Sequence, residues 1–241
     1  MSDLDNIYQT PLNQVPQFRF DQAVARVFPD MIKRSVPGYA ETVAMSGIIA
    51  SRYAKPNSNL YDLGCSLGAV TLAMRHALAV NHCKIIAVDN AQSMIERAKH
   101  FIALDDAKAE VELVCADILT YPLERASVSA LNFVLQFIPT ESRLPLLKKI
   151  AQASLPGGAL ILSEKICFDE DEQKLQQELH WDFKRANGYS DLEIAQKRSA
   201  IEDYLIPETE QAHIARLQAA GFSQVVRWYQ CFNFVSFLAI K

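Results

Sequence analysis

Two glycines bracket a short turn whose backbone could bind a small ligand. Apolar residues lead into Gly64, and an apolar pattern of helical spacing begins directly after Gly68. Glycine suits a turn in which the backbone bends sharply or approaches a ligand closely. The helix that follows presents unpaired N–H groups and a partial positive charge at its N-terminus. The pattern therefore predicts a binding loop for carboxylate, hydroxyl or phosphate groups, although an ordinary strand-to-helix turn can carry the same two glycines.

Polar residues end three further apolar runs. Asp89 follows the run 85–88, about 20 residues beyond the glycine turn, where a carboxylate can accept hydrogen bonds from both hydroxyls of a ribose. Asp117 and Ile118 follow the next run and could bind a flat ring with an exocyclic amine. Asn132 ends a fourth run, where its amide needs a partner. The simpler alternatives are a solvated loop residue for Asp89, a turn or N-cap for Asp117, and an amide bonded to nearby backbone for Asn132.

The elements that position these residues are strands alternating with helices. We predict strands at Asn59–Leu63, Lys84–Asp89, Glu110–Cys115, 128–133 and 159–164, and helices at 67–79, 91–104 and 140–153. Such alternation is typical of a parallel, doubly wound sheet. Ligands of such sheets bind beyond the carboxyl ends of the strands. We therefore expect the glycine turn and the polar strand-end residues to lie along one edge of the sheet.

The flanking segments predict helices and one pair of strands. Residues 1–19 predict a loose cover, and Asp21 is predicted to cap a helix that ends near Pro29. A second helix should run to about residue 52. Leu175, Leu179 and Phe183 form an apolar stripe in a helical insertion, which favours core over interface. A helix over 208–220 and strands over 224–229 and 232–240 then complete the chain, the strands as an antiparallel pair.

The predicted fold class is α/β. It comprises a doubly wound, mostly parallel, seven-stranded sheet with an antiparallel C-terminal strand pair, N-terminal helices, and a helical insertion before the last two strands. We predict a single domain over 1–241. Its parts are an N-terminal helical cover (1–55), a βα core (56–164), the helical insertion (165–210), and the last helix with the antiparallel strands (211–241).

Composition narrows the functional classes. The net charge is −4, from 24 basic and 28 acidic residues, so direct nucleic-acid binding is not expected. The acidic start of the chain predicts no signal peptide, and no apolar run approaches the about 18 residues that span a membrane. The five cysteines are scattered, with no pair or histidine cluster at metal-ligand spacing. We expect a cytoplasmic protein with no metal.

Several segments together resemble known enzymes. Residues 62–68, Asp89, 117–118, Asn132 and the turn at 156–158 resemble the S-adenosylmethionine-dependent methyltransferase fold over roughly residues 55 to 241. One departure is Ser66, where many such proteins have glycine. A closer resemblance, over nearly the whole chain, is to the carboxy-S-adenosylmethionine synthase family. The segments that carry it are 28–32 (FPDMI), 34–39 (RSVPGY), 61–68 (YDLGCSLG), 182–189 (DFKRANGY), 196–199 (QKRS) and 230–234 (QCFNF).

This resemblance implies an activity that differs from methyl transfer. Members of the family use prephenate to place a carboxylate on the methyl carbon of S-adenosyl-L-methionine. The products are carboxy-S-adenosyl-L-methionine and phenylpyruvate. A separate transfer RNA carboxymethyltransferase then uses the first product to modify a wobble uridine. The resemblance further implies a homodimer.

The resemblance also implies roles for individual residues. Tyr39 lines the ligand, and the backbone of Gly64, Cys65 and Ser66 lies under its methionine part, while a reactive role for the thiol is not expected. Arg198 pairs with the added carboxylate and is the one residue assigned to catalysis; without the resemblance it would be an exposed cation on a helix. The remaining implied contacts are Asp89 and Asn90 to the ribose, Asp117 and Ile118 to the adenine, and Asn132 to the ligand near the centre of the sheet.

The chemistry needs no nucleophilic side chain. We hypothesise that prephenate loses carbon dioxide and hydroxide as its ring becomes aromatic, that the hydroxide removes a methyl proton, and that the resulting sulfonium ylide captures the carbon dioxide. Such a route requires a site closed to water. Lys184 and Arg185 could recruit the dianionic prephenate or form a solvated helix face. Two other classes remain open: an ordinary small-molecule methyltransferase, and a binding module that catalyses nothing.

Overall fold

The computed structural model describes residues 3–80 and 82–241, which build a seven-stranded sheet in the order β3-β2-β1-β4-β5-β7-β6. The strands are β1 Asn59–Leu63, β2 Lys84–Asp89, β3 Glu110–Cys115, β4 Ala126–Asn132, β5 Ser154–Lys165, β6 Gln224–Cys231 and β7 Phe234–Ile240. Strands β1 to β5 pair in parallel, whereas β7 runs antiparallel to both β5 and β6. The predicted fold class is therefore confirmed.

Eight α-helices are described around this sheet. They are α1 Gln22–Ser35, α2 Tyr39–Tyr53, α3 Ala69–Ala77, α4 Gln92–Leu104, α5 Thr140–Ala153, α6 Glu170–Ala186, α7 Asp191–Ile201 and α8 Glu210–Ala220. Asp21 caps α1 as predicted, because its carboxylate accepts a hydrogen bond from the backbone N–H of Val24 at 2.9 Å. The helices between β1 and β5 follow the predicted positions closely, since their apolar spacing is a local signal.

The core lies on both faces of the central strands. Leu60 and Val128 pack with α2 and α3 on one face, while Leu131 and Leu162 pack with α5 and β7 on the other. These strands are buried on both sides, which is why they read as nearly continuous apolar runs rather than as alternating patterns. The close packing fixes the carboxyl ends of the strands, where the candidate residues lie.

Two predicted boundaries are wrong. Helix α1 continues past Pro29 to Ser35, although proline removes one helical hydrogen bond. The buried apolar face of α1, which includes Val27 and Met31, offsets that cost by removing apolar surface from water. Strand β5 begins at Ser154, so the turn predicted at 156–158 is instead an irregularity within the strand, and the register of β4 against β5 shifts there.

The N-terminal segment (residues 3–20) is not the loose cover that its polar composition predicts. Tyr8 and Phe18 are buried against α1, and the side chain of Gln196 on α7 donates to the carbonyl oxygen of Tyr8 at 2.9 Å. The backbone N–H of Phe18 donates to the carbonyl oxygen of Ala200, also at 2.9 Å. The predicted cover includes residues 1 and 2, which lie outside the described part of the chain.

The apolar stripe of α6 is not core along its whole length. The side chain of Leu175 is 55% exposed, Leu179 and Phe183 are half-buried, and the fully buried residue of α6 is His180. The reason is that α6 packs against α1 and α7 and reaches the sheet through His180, whose ring centroid lies 5.0 Å from that of Phe234, while Leu175 lies farther out. The core interpretation of this stripe is therefore wrong for Leu175.

Candidate functional site

The loop after β1 is held against the end of β2 by hydrogen bonds. The backbone N–H groups of Gly64 and Cys65 donate to the carbonyl oxygen of Val88 at 2.7 and 3.0 Å. The N–H of Ser66 donates to the carboxylate of Asp89 at 2.8 Å. Because β1 and β2 are adjacent parallel strands, these bonds fix the loop above their carboxyl ends.

Backbone conformation explains the residue types in this loop. Gly64 and Gly68 have φ values of +81° and +82°, a left-handed region that L side chains rarely adopt. A Cβ atom on Gly64 would also overlap the side chain of Val134. Ser66 adopts φ +50°, and its hydroxyl lies 3.6 Å from the sulfur of Met94. The loop therefore brings backbone rather than bulky side chains to the end of the strand.

The thiol of Cys65 lies within this loop but is poorly suited to nucleophilic chemistry. The residue is buried, and burial, followed by the charges of Asp62 and Asp89, raises the pKa of the thiol well above its ordinary value. The nucleophilic form of cysteine is the thiolate, which this environment disfavours. Cys65 would therefore contact a ligand through its backbone rather than through its thiol.

Asp89 connects three strand ends. Its second carboxylate oxygen accepts from the N–H of Ala91 at 2.9 Å, and its carbonyl oxygen accepts from the N–H of Ala116 after β3 at 3.0 Å. Burial raises the pKa of Asp89 above its ordinary value, and the two backbone donors oppose that rise. Each carboxylate oxygen can accept more than one hydrogen bond, so ribose hydroxyls can still bind. Asn90, the next residue, is exposed.

The end of β3 provides an apolar side chain beside a carboxylate. Ile118 is buried, whereas Asp117 is exposed and accepts a hydrogen bond from the N–H of Leu119 at 2.8 Å. This hydrogen bond shows that Asp117 forms a turn, which was the simpler interpretation of this residue from the sequence. It uses one carboxylate oxygen and leaves the other to accept from an amine.

Asn132 ends β4 within a network of side chains. Its amide nitrogen donates to the hydroxyl of Ser46 at 3.3 Å, and its amide oxygen accepts from the hydroxyl of Ser163 at 2.6 Å. Ser163 is in turn 2.7 Å from the hydroxyl of Ser236 on β7. The partners of Asn132 are therefore side chains of α2 and β5, not the nearby backbone that was its simpler alternative.

Tyr39 begins α2 close to the end of β4. Its ring centroid lies 6.4 Å from that of Phe133, the residue after Asn132. Burial, with the charge of Asp62, raises the pKa of the Tyr39 phenol, so its hydroxyl stays protonated at neutral pH. Tyr39 is thus placed to contact a ligand that extends from the loop toward β4.

Arg198 lies apart from the other nine candidates. Its side chain is 54% exposed on α7, 3.5 Å from the carboxylate of Glu202, with its guanidinium 5.7 Å from the ring centroid of Trp181. In the described residues, no hydrogen bond, ion pair or ring contact joins Arg198 to the strand-end candidates. Burial, and then the charge of Arg198, lower the pKa of Lys165, so the guanidinium lies within electrostatic range of the end of β5.

Sequence reasoning singled out Lys184, with Arg185, but missed the other basic side chains near the end of β5. His180 is 4% exposed and Lys197 is 8% exposed, and both lie close enough to Lys184 for electrostatic interaction, as Lys165 does to Lys184 and His180. The usable signal was the spacing of His180 and Lys184, four residues apart on one face of a predicted helix. No sequence pattern joins that face to β5 or to α7.

The described part of the chain, residues 3–80 and 82–241, contains neither a metal-binding cluster nor a membrane-spanning helix. No group of three or more histidine, cysteine, aspartate or glutamate residues there is arranged to hold a metal ion. None of the helices there combines the length and the apolar character needed to cross a membrane.

Comparison with known proteins first gives the class. Residues 60–158 match the family model described as a methyltransferase domain. A putative O-methyltransferase from Nostoc punctiforme has a TM-score of 0.64 at 16% identity, covering 91% of this chain and 59% of its own. Human N-acetylserotonin methyltransferase, solved in complex with SAM, has a TM-score of 0.62 at 17% identity and covers 91% of this chain and 55% of its own. The fold is that of the methyltransferases.

Closer relatives specify the family. A carboxy-S-adenosyl-L-methionine synthase from Marinobacter nauticus is 59% identical over 238 residues, covering 98% of this chain and 95% of that protein. One from Pseudomonas putida is 56% identical over 241 residues, covering 98% of each. The chain belongs to the carboxy-S-adenosyl-L-methionine synthase family. It is therefore an enzyme with a methyltransferase fold, in a family named for the synthesis of carboxy-S-adenosyl-L-methionine rather than for methyl transfer.

Proposed function

We propose that the protein converts S-adenosyl-L-methionine and prephenate to carboxy-S-adenosyl-L-methionine and phenylpyruvate. The observation that carries this proposal is the 59% identity to a carboxy-S-adenosyl-L-methionine synthase over nearly the whole of both chains. The loop at 64–66, bonded to the end of β2, supports it with a backbone surface suited to the polar end of such a nucleoside.

The strand-end residues would bind the parts of the nucleoside in order. Asp89 with Asn90 would accept the ribose hydroxyls, and Asp117 with Ile118 would bind the amine and ring face of adenine. Gly64, Cys65 and Ser66 would lie under the methionine part. Their order along β1, β2 and β3 matches an extended ligand that crosses the carboxyl ends of those strands. Tyr39 and Asn132 would then lie near the sulfonium, next to β4.

The reaction would proceed through an ylide. Prephenate loses carbon dioxide and hydroxide when its ring becomes aromatic, and the hydroxide takes a proton from the acidic methyl group of the sulfonium to form water. The ylide carbon then forms a bond to the carbon dioxide, which becomes the new carboxylate. Water must be excluded because it would protonate the ylide. The guanidinium of Arg198 can bind a carboxylate through two N–H groups. It would leave its ion pair with Glu202 and bind the new carboxylate instead.

Two measurements test the proposal. Mass spectrometry of the ligand that remains bound after purification should detect the mass of S-adenosylmethionine plus a carboxylate. Incubation with prephenate and S-adenosylmethionine should release phenylpyruvate continuously. A ligand without the added carboxylate, together with transfer of a methyl group to an acceptor, would identify an ordinary methyltransferase. Absence of any turnover would leave a binding module.

The wider setting is proposed from the resemblance. We propose that the product passes to a separate transfer RNA carboxymethyltransferase, that the protein forms homodimers, and that it acts in the cytoplasm. The net charge of −4 supports a protein that does not itself bind transfer RNA. The scattered cysteines support a reducing compartment.

A further inference from the structure

Four basic side chains form a cluster beside the carboxyl end of β5. Lys165 ends β5, His180 and Lys184 lie one turn apart on α6, and Lys197 lies on α7. The charges of Lys197 and Lys165 both act on Lys184, and those of all three lysines act on His180. We call these four residues the basic cluster. It belongs to the helical insertion and β5, not to the strand ends that would bind the nucleoside.

The positive charge of the cluster is only partly compensated. The Lys197 ammonium lies 3.5 Å from the carboxylate of Asp5 and 3.0 Å from the hydroxyl of Ser35. In residues 3–80 and 82–241, neither Lys165 nor Lys184 forms an ion pair or a side-chain hydrogen bond. Cations that are partly removed from water without a partner are costly, and such groups are usually paired. The two lysines therefore present positive charge that an anionic ligand could neutralise.

A chain of aromatic rings joins the basic cluster to the nucleoside side of the sheet. The ring centroids of Tyr39 and Phe133 are 6.4 Å apart, those of Phe133 and Phe234 are 6.0 Å apart, and those of Phe234 and His180 are 5.0 Å apart. Phe234 is also the partner of Lys165 in the β5–β7 ladder. The two lysines thus border an apolar cluster of rings that begins at Tyr39, in which Phe133 is half-buried and Phe234 is buried.

We propose that Lys165 and Lys184 bind the carboxylate of the pyruvyl side chain of the second substrate, with its ring against Phe133 and Phe234. This assignment rests on the proposed function, in which that substrate is prephenate. Prephenate has two carboxylates, and only the side-chain carboxylate persists in phenylpyruvate. An ion pair to the departing carboxylate would stabilise the ground state and slow its loss, so the cations serve better at the group that remains. Arg198 keeps its separate role at the new carboxylate.

The pKa of Lys184 makes the proposed binding of a carboxylate depend on pH. Burial, and then the charges of Lys197 and Lys165, lower the pKa of Lys184 to about 7, against the opposing effect of Asp5. A bound carboxylate favours the ammonium and raises this pKa. Affinity for the ligand is therefore highest below pH 7 and falls as pH rises from 7 toward the pKa of the complex. Above pH 7, binding takes up a proton.

The experiment compares Lys184→Met and Lys165→Met with Lys174→Met, an exposed lysine of the same helix. Each Lys184 or Lys165 variant should raise the KM for prephenate at least tenfold and change kcat less. Calorimetry should show phenylpyruvate binding to the full-length protein, weakened tenfold or more in both variants. The dissociation constant of S-adenosyl-L-methionine should stay within twofold in all three variants, which also reports that they fold.

Proton uptake gives a readout that a structural role would not change. Calorimetry of phenylpyruvate at pH 8, in two buffers of different ionisation enthalpy, should show net proton uptake by the wild type and less by Lys184→Met. If the wild type produces phenylpyruvate while both lysine variants keep their KM for prephenate within twofold, the lysine assignment is overturned and the proposed function stands. If the wild type neither binds prephenate nor releases phenylpyruvate, both are overturned.

Discussion

The carboxylate of Asp89 accepts a hydrogen bond from the backbone N–H of Ser66, and the two atoms lie 2.8 Å apart. This one bond connects the loop after β1 to the end of β2 and so joins two parts of the candidate nucleoside site. Asp89 therefore has two roles: it would contact the ribose, and it holds the loop after β1 in position. A change at Asp89 should affect S-adenosylmethionine more than any other ligand.

Asp89→Asn should weaken the binding of S-adenosyl-L-methionine by roughly tenfold to a hundredfold. The amide keeps one acceptor but loses the charge, and a hydrogen bond to a charged group contributes roughly 1.5–3 kcal/mol. Isothermal titration calorimetry measures the change. Asp106→Asn is the control, because Asp106 is exposed and lies in the loop before β3. A dissociation constant within threefold of wild type for Asp89→Asn would remove this residue from the site.

Gly64→Ala should destabilise the protein, and part of the loss should be recoverable. The new Cβ would overlap Val134, and φ +81° disfavours an L side chain by roughly 1–2 kcal/mol. Adding Val134→Ala removes the overlapping methyl groups but not the backbone strain. Urea unfolding should therefore show the double variant to be more stable than the sum of the two single changes predicts. Simple additivity would mean that the loop relaxes away from β4 instead.

Arg198→Ala should weaken carboxy-S-adenosyl-L-methionine much more than S-adenosyl-L-methionine. The difference should be roughly tenfold or more, because only the first ligand has a carboxylate that needs the guanidinium. Arg26→Ala is a matched control, since Arg26 on α1 is also an exposed arginine paired with a carboxylate, that of Asp3. Equal weakening of both ligands in calorimetric titrations would contradict the role given to Arg198.

Glu164→Gln should change how stability depends on pH. Glu164 is fully buried and accepts hydrogen bonds from the N–H groups of Leu135 and Gln136, and burial raises its pKa from 4.5 to about 8. A carboxyl whose pKa is higher in the folded state stabilises the fold below pH 4.5 and loses that contribution as pH rises to about 8. The slope from this group is up to about 1.4 kcal/mol per pH unit.

The comparison for Glu164 is made by urea unfolding at pH 5 and pH 8. The wild type should lose more stability over this interval than Glu164→Gln, which has no carboxyl at that position. Glu178→Gln, at an exposed site on α6, should behave as the wild type does. Parallel pH profiles for the wild type and Glu164→Gln would show that Glu164 titrates in its ordinary range in the fold.

Local patterns were sufficient to predict most of the sheet. The ends of β1, β2 and β3 follow the sequence prediction residue for residue, because a buried run followed by a polar residue is a short-range signal. For the same reason Asp89 was found from its spacing to the glycine turn. Helix α1 shows the limit, since burial of its apolar face overrides the local effect of Pro29.

Features that depend on distant parts of the chain were not predictable. The basic cluster needs β5, α6 and α7 to meet, and the contact of Gln196 with Tyr8 joins residues 188 positions apart. The pairing of Arg198 with Glu202 is local, but which side of α7 faces the site depends on how the insertion packs. Periodicity describes one element at a time and does not report how two elements dock.

The buried contact of Asp5 with Tyr189 has a consequence for how the protein assembles. The Tyr189 hydroxyl donates to the Asp5 carboxylate at 2.5 Å, and the two residues are 184 positions apart. Contacts between neighbours in the chain form early in folding, and such distant ones form late. During synthesis on the ribosome, residues near position 5 must wait for most of the polypeptide to emerge before they can dock. The surroundings of Lys197, which pairs with Asp5, therefore depend on contacts that cannot form until α6 and α7 have been synthesised.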